Sequence, residues 1–264
     1  MSETIRAAFF DIDGTLLPFR ATQIPASTRA ALAALRRRGV RIFIATGRPP
    51  IHLPRLHALD GVPFDGYVTM NGQYCFLADG TELYRHAIEP AALRTLLPYI
   101  EKNRLSVGFI EKDRSTFNLI DSRSEAHCRA MGFTTGNVAA RIEAAPIYQL
   151  SAFFPAEQQA EFLAHCPGCT AVRWNDDFVD ILPSGGGKPQ GLAHVLQALG
   201  LRREQSIAFG DGGNDVEMLR YAGIGVAMGN ACPEAKAAAD YVTGDCDADG
   251  LADALRHFGL IGAE

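Results

Sequence analysis

The runs Ala7 to Ile12, Val40 to Ala45, Gly66 to Met70 and Ser206 to Gly210 are apolar over strand length, and the stretches that part them carry helical periodicity. Runs with so few polar positions suit strands covered on both faces. Their alternation with helices winds into a mostly parallel sheet. The expected fold class is therefore α/β, with a doubly wound core. Ser27 to Arg38 carries Leu32 and Leu35 on one side and stops at Gly39, as a helix with a glycine after its last turn does. Arg36, Arg37 and Arg38 read as a solvated last turn that suits the helix dipole. Further helices are expected over Pro189 to Leu199, Gly213 to Tyr221, Pro233 to Ala238 and Leu251 to Phe258, with a strand at Ile224 to Ala227.

Between these outer parts the pattern changes. Segments such as Ser106 to Ile110 and Tyr148 to Phe153 alternate apolar and polar residues, and helical stretches lie near Pro90 to Asn103 and Ala156 to Ala164. Alternation with one polar face indicates an antiparallel sheet with helices on one side. The expected organisation is a core of residues 1–80 and 184–264 around an inserted α+β cap of residues 81–183. A chain of 264 residues is large for one core, which suits such an insertion.

Composition excludes several classes of function. The net charge of −5 and the lack of a long basic tract argue against reading a nucleic-acid backbone. No apolar run approaches the roughly 20 residues that span a bilayer. The start, Met1-Ser2-Glu3-Thr4-Ile5-Arg6, lacks the pattern of a signal peptide, so a cytoplasmic location is expected. The six cysteines are too sparse for a disulfide scaffold. Cys166-Pro167-Gly168-Cys169 could be a redox couple or half a zinc site. It lacks a second pair for zinc, and it follows a helical stretch where a redox motif starts one. It is expected to be a loop that holds two thiols.

In a parallel sheet, ligands bind beyond the carboxyl ends of the strands. The first strand delivers Asp11 and Asp13, the second Thr46, Gly47 and Arg48, and the returning strand Asp211, Asn214 and Asp215, with Lys188 at the start of the helix before it. Four converging carboxylates repel one another unless a cation sits among them, and hard oxygen donors suit Mg²⁺. Such an ion also neutralises a phosphate. Phosphoryl transfer needs positioning and charge neutralisation, which Lys188, the Thr46 hydroxyl and the Asp13-Gly14-Thr15 turn could supply. A carboxylate is also a competent nucleophile. The two-residue spacing then gains a reason: one aspartate attacks while the other protonates the leaving oxygen and later deprotonates water.

These residues resemble a known family. Asp11-Ile12-Asp13-Gly14-Thr15, Thr46, Lys188 and Gly210-Asp211-Gly212-Gly213-Asn214-Asp215 are similar to the four-motif signature of the haloacid dehalogenase superfamily of phosphotransferases. Ala45-Thr46-Gly47-Arg48, Met70-Asn71-Gly72 and Gly225 to Ala231 resemble its Cof-type subgroup, which carries a large α+β cap. The resemblance implies Asp11 as nucleophile and Asp13 as general acid and base. It implies Mg²⁺ held by Asp11, the Asp13 main-chain carbonyl and Asp211, with Asp215 holding a metal-bound water or Lys188. Thr46, Gly47, Lys188 and Asn214 would face the phosphate, and Arg48 and Asn71 are candidates for substrate contact. The implied activity is a Mg²⁺-dependent phosphatase acting on a small phosphorylated metabolite such as a sugar phosphate, nucleotide or vitamin phosphate. A phosphomutase or phosphotransferase of the same superfamily, and a binding protein on the same fold, are the alternatives.

Asp-Gly after a strand is often only a turn, and Gly212 to Asp215 could be a turn and cap; their co-occurrence with Thr46 and Lys188 favours the catalytic reading. Gly185-Gly186-Gly187-Lys188 is not a nucleotide-binding P-loop, because Leu182 stands at its first glycine and Pro189 replaces its hydroxyl residue. Arg48 is equally suited to bind substrate or to pair with an acid. Lys112, Arg114, Arg123, Asp176 and Asp177 are cap candidates for specificity, and Met228 and Trp174 read as packing residues.

Overall fold

The computed structural model describes residues 4–55, 57–59, 61–173 and 178–262. The chain divides into two compact units: Met1–Gly47, Pro54–Tyr84 and Gly187–Glu264 form the first, and Arg48–Leu53 with Arg85–Gly186 the second.

The first unit opens with β1 (Ala7–Phe10), α1 (Ala26–Arg37), β2 (Arg41–Ala45) and β3 (Gly66–Thr69). β4 (Tyr74–Leu77) and β5 (Glu82–Arg85) follow. The second unit holds α2 (Pro90–Lys102), β6 (Ser106–Ile110), β7 (Ser115–Phe117), α3 (Glu125–Met131), β8 (Thr134–Thr135) and α4 (Val138–Ala144). It continues with β9 (Gln149–Phe153), α5 (Gln159–Ala164), β10 (Cys169–Val172) and β11 (Val179–Pro183). The chain then returns to the first unit through α6 (Lys188–Ala198), β12 (Ser206–Gly210), α7 (Val216–Tyr221), β13 (Ile224–Ala227), α8 (Pro233–Ala238), β14 (Tyr241–Val242) and α9 (Gly250–His257).

The first sheet runs in the order β14-β13-β12-β1-β2-β3-β4-β5. Its pairs from β14 to β3 are parallel, and β3 with β4 is antiparallel. The hairpin of β4 and β5 extends this sheet, and the first unit runs to Tyr84. Register stacks Phe9 on Phe43 at 5.1 Å on one face and Phe10 on Phe209 at 5.0 Å on the other. The first face packs on Leu192 and Leu196 of α6 and Met218 and Leu219 of α7. On the opposite side α1 packs against β2 and α9. Each fully buried Phe or Leu contributes roughly 1.5 to 3 kcal/mol of transfer free energy.

Chain order reverses between β1 and β12: β2 and β3 follow on one side, β13 and β14 on the other. That switch point opens a crevice at the carboxyl ends of the two strands.

The second unit is built on a sheet ordered β10-β11-β9-β6-β7-β8, antiparallel except for β7 with β8. Val107, Phe109, Leu150, Ala152, Val179 and Ile181 point to one face and pack with Leu93 and Leu96 of α2, Ile142 of α4 and Phe162 of α5. Gln149, Ser151 and Asp180 occupy the alternate positions.

Candidate active site

Because β1 and β12 flank the switch point, the residues that follow them emerge side by side. Asp11 continues from β1 and its N–H donates to Phe209 O at 3.0 Å. Asp211 follows β12 directly. Lys188 is the first residue of α6, and its ammonium donates to Asp11 Oδ1 at 2.7 Å and Asp215 Oδ1 at 2.5 Å. All four side chains are buried.

The segment after β12 is a short 3-10 turn, Gly213–Asp215, before α7. It folds because Asp215 Oδ2 accepts the N–H groups of Asp211 at 3.0 Å and Gly212 at 2.9 Å. Asp215 therefore commits both oxygens to protein donors. Asp211 commits Oδ1 to the Thr15 hydroxyl at 2.8 Å, and Asp11 commits Oδ1 to Lys188.

The Asp13-Gly14-Thr15 turn is closed by Gly14 N–H on Leu17 O at 2.8 Å. Gly14 sits at φ +85, and a Cβ there would overlap the Asp211 carboxylate. Only glycine lets this turn approach the second aspartate so closely. Gly72 does the same for Lys188: at φ +91 it lies against the Gly187 carbonyl, where a Cβ would overlap, and so sets the start of α6.

Thr46 follows β2, and its carbonyl accepts the N–H of Asn71 at 3.0 Å. Met70 and Asn71 both adopt left-handed backbone, φ 50 and φ 53. For such residues this conformation costs on the order of 1 to 3 kcal/mol each and collects at functional sites. It brings the Asn71 amide to the Asn214 Nδ2 donor at 3.1 Å and to 3.2 Å from where a Gly47 Cβ would lie. Thr46, Gly47, Asn71 and Asn214 thus form one connected group in the first unit.

Arg48 belongs to the second unit. There its charge, after burial, helps to lower the pKa of His127. Lys112, Arg114 and Arg123 are exposed on turns of that unit; Trp174, Asp176 and Asp177 lie outside the described residues. Met228 is buried, as expected of a packing residue.

Asn230, to which the sequence reading assigns no role, is part of this frame. Its Nδ2 donates to Gly14 O at 2.8 Å and its Oδ1 accepts Cys246 N–H at 2.9 Å. The available signal was its place just beyond the apolar strand at Ile224 to Ala227, where the same rule selected Asp11, Thr46 and Asp211.

Burial, with the charges of Asp215, Asp211 and Asp13, holds the Asp11 carboxyl well above the ordinary range, against the opposing pull of Lys188. Asp211 is pushed up to about 7, chiefly by burial and then by Asp215. Burial would lower the Lys188 ammonium, but Asp11 and Asp215 outweigh it and raise it. One lysine does not balance the carboxylates around it.

Asp11, Asp211 and Asp215 each offer an oxygen within 4.8 Å of the others. A hard divalent cation fits this donor set: it is all oxygen, carries excess negative charge, and leaves one oxygen each on Asp11 and Asp211 beyond those bonded to Lys188 and Thr15.

Residues 8–255 match the haloacid dehalogenase-like hydrolase family. The Bacillus subtilis (strain 168) protein YkrA, provisionally named a phosphatase, is 34% identical over 257 residues, covering 96% of this chain and 97% of its own. Among solved structures, the phosphatase-superfamily protein BT1666 from Bacteroides thetaiotaomicron superposes with a TM-score of 0.91 at 32% identity, over 98% of this chain and 96% of that one. The subclass IIB sugar phosphatase BT4131 superposes with a TM-score of 0.88 at 37% identity, over 97% and 100%.

Proposed function

The chain belongs to the haloacid dehalogenase-like hydrolases and is a phosphatase of that family, and from this premise we propose that it hydrolyses a small phosphorylated metabolite in two steps through an aspartyl-phosphate on Asp11. The observation that carries the reading is the Lys188 ammonium held between Asp11 and Asp215, beside Asp211 at the switch point.

In the first step an Asp11 carboxylate oxygen attacks phosphorus, and Asp13 gives a proton to the leaving oxygen as its bond to phosphorus breaks. In the second step Asp13 takes a proton from water, whose oxygen attacks the same phosphorus and releases Asp11. Lys188 neutralises the nucleophile and a phosphate oxygen. Thr46 and the Gly47 backbone face the phosphate, Asn214 orients through Asn71, and Asp215 positions Lys188. Held by Asp11, Asp211 and the Asp13 main-chain carbonyl, with Asp215 beside them, Mg²⁺ would supply the positive charge that keeps Asp11 ionised and draws the phosphate in. Arg48 and Asn71 are candidates for contact with the rest of the substrate.

The 37% identity to a sugar phosphatase makes sugar phosphates the first substrates to try, ahead of nucleotides and vitamin phosphates. No helix among the described residues is long and apolar enough to cross a membrane. The test is phosphate release from a panel of these monoesters, with Mg²⁺ or with excess chelator. Turnover that needs the ion and stops in Asp11→Asn is expected; full turnover in chelator would overturn the metal assignment, and an active Asp11→Asn would overturn the nucleophile.

A further inference from the structure

The Cys166-Pro167-Gly168-Cys169 segment joins α5 to β10 in the second unit, and its sequence dictates its shape. Proline presets the backbone of the second position of a tight turn, and glycine supplies the left-handed third. Gly168 indeed sits at φ +77, and Cys169 N–H donates back to Cys166 O at 3.3 Å. A turn of this kind brings its first and fourth Cα atoms within about 7 Å, the range in which a disulfide closes without moving the backbone. The sulfurs lie 3.4 Å apart, and both residues are free thiols.

The two thiols are inequivalent. Cys166 is fully buried in the hydrophobic cluster of α2, α5 and the sheet, and Cys169 is partly exposed at its edge. The Cys166 thiol donates its hydrogen bond to the Cys169 sulfur, which favours the Cys169 thiolate. An accessible nucleophile beside a buried resolving thiol is the arrangement that thiol–disulfide exchange uses.

We propose that Cys166 and Cys169 are a reversible modification site that closes to an intramolecular disulfide by exchange with a low-molecular-weight disulfide. The Cys169 thiolate attacks one sulfur of the small disulfide, forms a mixed disulfide and expels one thiolate. Cys166 then gives up its proton, attacks the Cys169 sulfur and expels the second. Two protein thiols are oxidised, one small disulfide is reduced to two thiols, and the two protons end on those leaving groups. The turn is tied to the sheet by the Ser184 N–H, which donates to Gly168 O at 2.8 Å, so the cross-link forms on an anchored segment. This site is independent of the phosphatase reading.

The experiment equilibrates the full chain with mixtures of reduced and oxidised glutathione, quenches with acid, alkylates under denaturing conditions and maps the peptides by mass spectrometry. Expected is a loss of two hydrogen masses and of alkylation at Cys166 and Cys169 together, restored by dithiothreitol, while Cys75, Cys128 and Cys246 stay alkylatable. Cys166→Ser should leave glutathione trapped on Cys169, and Cys169→Ser should leave Cys166 unmodified. Full alkylation of both thiols even in oxidised glutathione alone, glutathione persisting on wild-type Cys169 without closure, or a bond to a different cysteine would each overturn the proposal.

Discussion

In the second unit the buried Glu111 carboxylate meets the Arg141 guanidinium through two hydrogen bonds, from Nε at 2.8 Å and from Nη2. The buried Asp180 takes the Gln149 amide at 3.0 Å and the Ser151 hydroxyl at 3.3 Å. The first unit gathers Asp11, Asp211 and Asp215 around a single ammonium, with Asp13 close enough to raise both Asp11 and Asp211. Buried anions that are paired or hydrogen-bonded are compatible with a stable fold; surplus buried charge works against it. The surplus therefore marks where the fold gives up stability to hold something else, and the second unit shows that the same chain can match its buried charges elsewhere.

The widest separation between the units is expected at Asp11, the proposed nucleophile. Asp11→Asn should lower turnover by about 10⁴-fold or more, as loss of a covalent nucleophile does. It should leave thermal stability equal or higher, since one of the repelling charges goes. Steady-state kinetics paired with calorimetry checks both, and a variant that loses activity by unfolding would break the argument. Asp13→Ala should cost about 10² to 10⁴-fold, the range for a general acid and base. Its effect on formation of the phospho-intermediate should shrink for leaving groups that need no proton, and an equal effect on good and poor leaving groups in rapid-quench experiments would remove the acid role.

Removing the cation from each unit sharpens the contrast. Lys188→Met and Arg141→Met each strand a buried carboxylate, and breaking such a pair costs on the order of 3 to 5 kcal/mol. Denaturant titration should find both variants weakened, but only Lys188→Met should lose turnover. Added Mg²⁺ should recover part of the stability lost in Lys188→Met and none of that lost in Arg141→Met. Equal recovery in both would mean that the ion acts through general salt effects instead of the aspartate cluster.

How far these features were legible in the sequence depends on how local their causes are. Asp11, Thr46 and Asp211 could be read because a residue just past a buried parallel strand has its position set by that strand. The edge placement of β4 and β5 could not, since Tyr74 to Leu77 are apolar throughout and no alternation marks which sheet accepts them. Arg48 to Leu53 follow Thr46 and Gly47, yet group with the second unit, where His52 stacks on Phe133 at 5.1 Å; no periodicity announces so distant a partner. Asn230 stands just beyond β13 and so falls under the same strand-end rule, but its partner Gly14 lies far along the chain and its role in the frame could not be read. For Cys166 and Cys169 the Pro-Gly pair between them encodes the turn, but nothing local tells that Cys166 enters a hydrophobic cluster while Cys169 stays at its edge.

The smallest expected effect concerns Asp211 in the metal-free protein. Its carboxyl is pushed from 3.8 to about 7 by burial and by Asp215, so the folded state holds a proton there that the unfolded chain releases near pH 4. The stability linked to this group is fully present below about pH 4 and is lost as pH rises through about 7. Asp211→Asn is always neutral and escapes that loss. In excess chelator the variant should fall below wild type near pH 4 by what the amide costs in that buried place, and exceed it above pH 8 by about 1 to 3 kcal/mol, which is the linkage value less that same cost. With Mg²⁺ the order should reverse: wild type gains a ligand that binds only the folded state, and the variant loses one of the oxygens that hold it. Thermal melts over this pH range, with and without the ion, would detect the crossing. A variant less stable than wild type in chelator above pH 8 would show that Asp211 is compensated in the folded state, as Glu111 is in the second unit, and the contrast between the units would then rest on Asp11 alone.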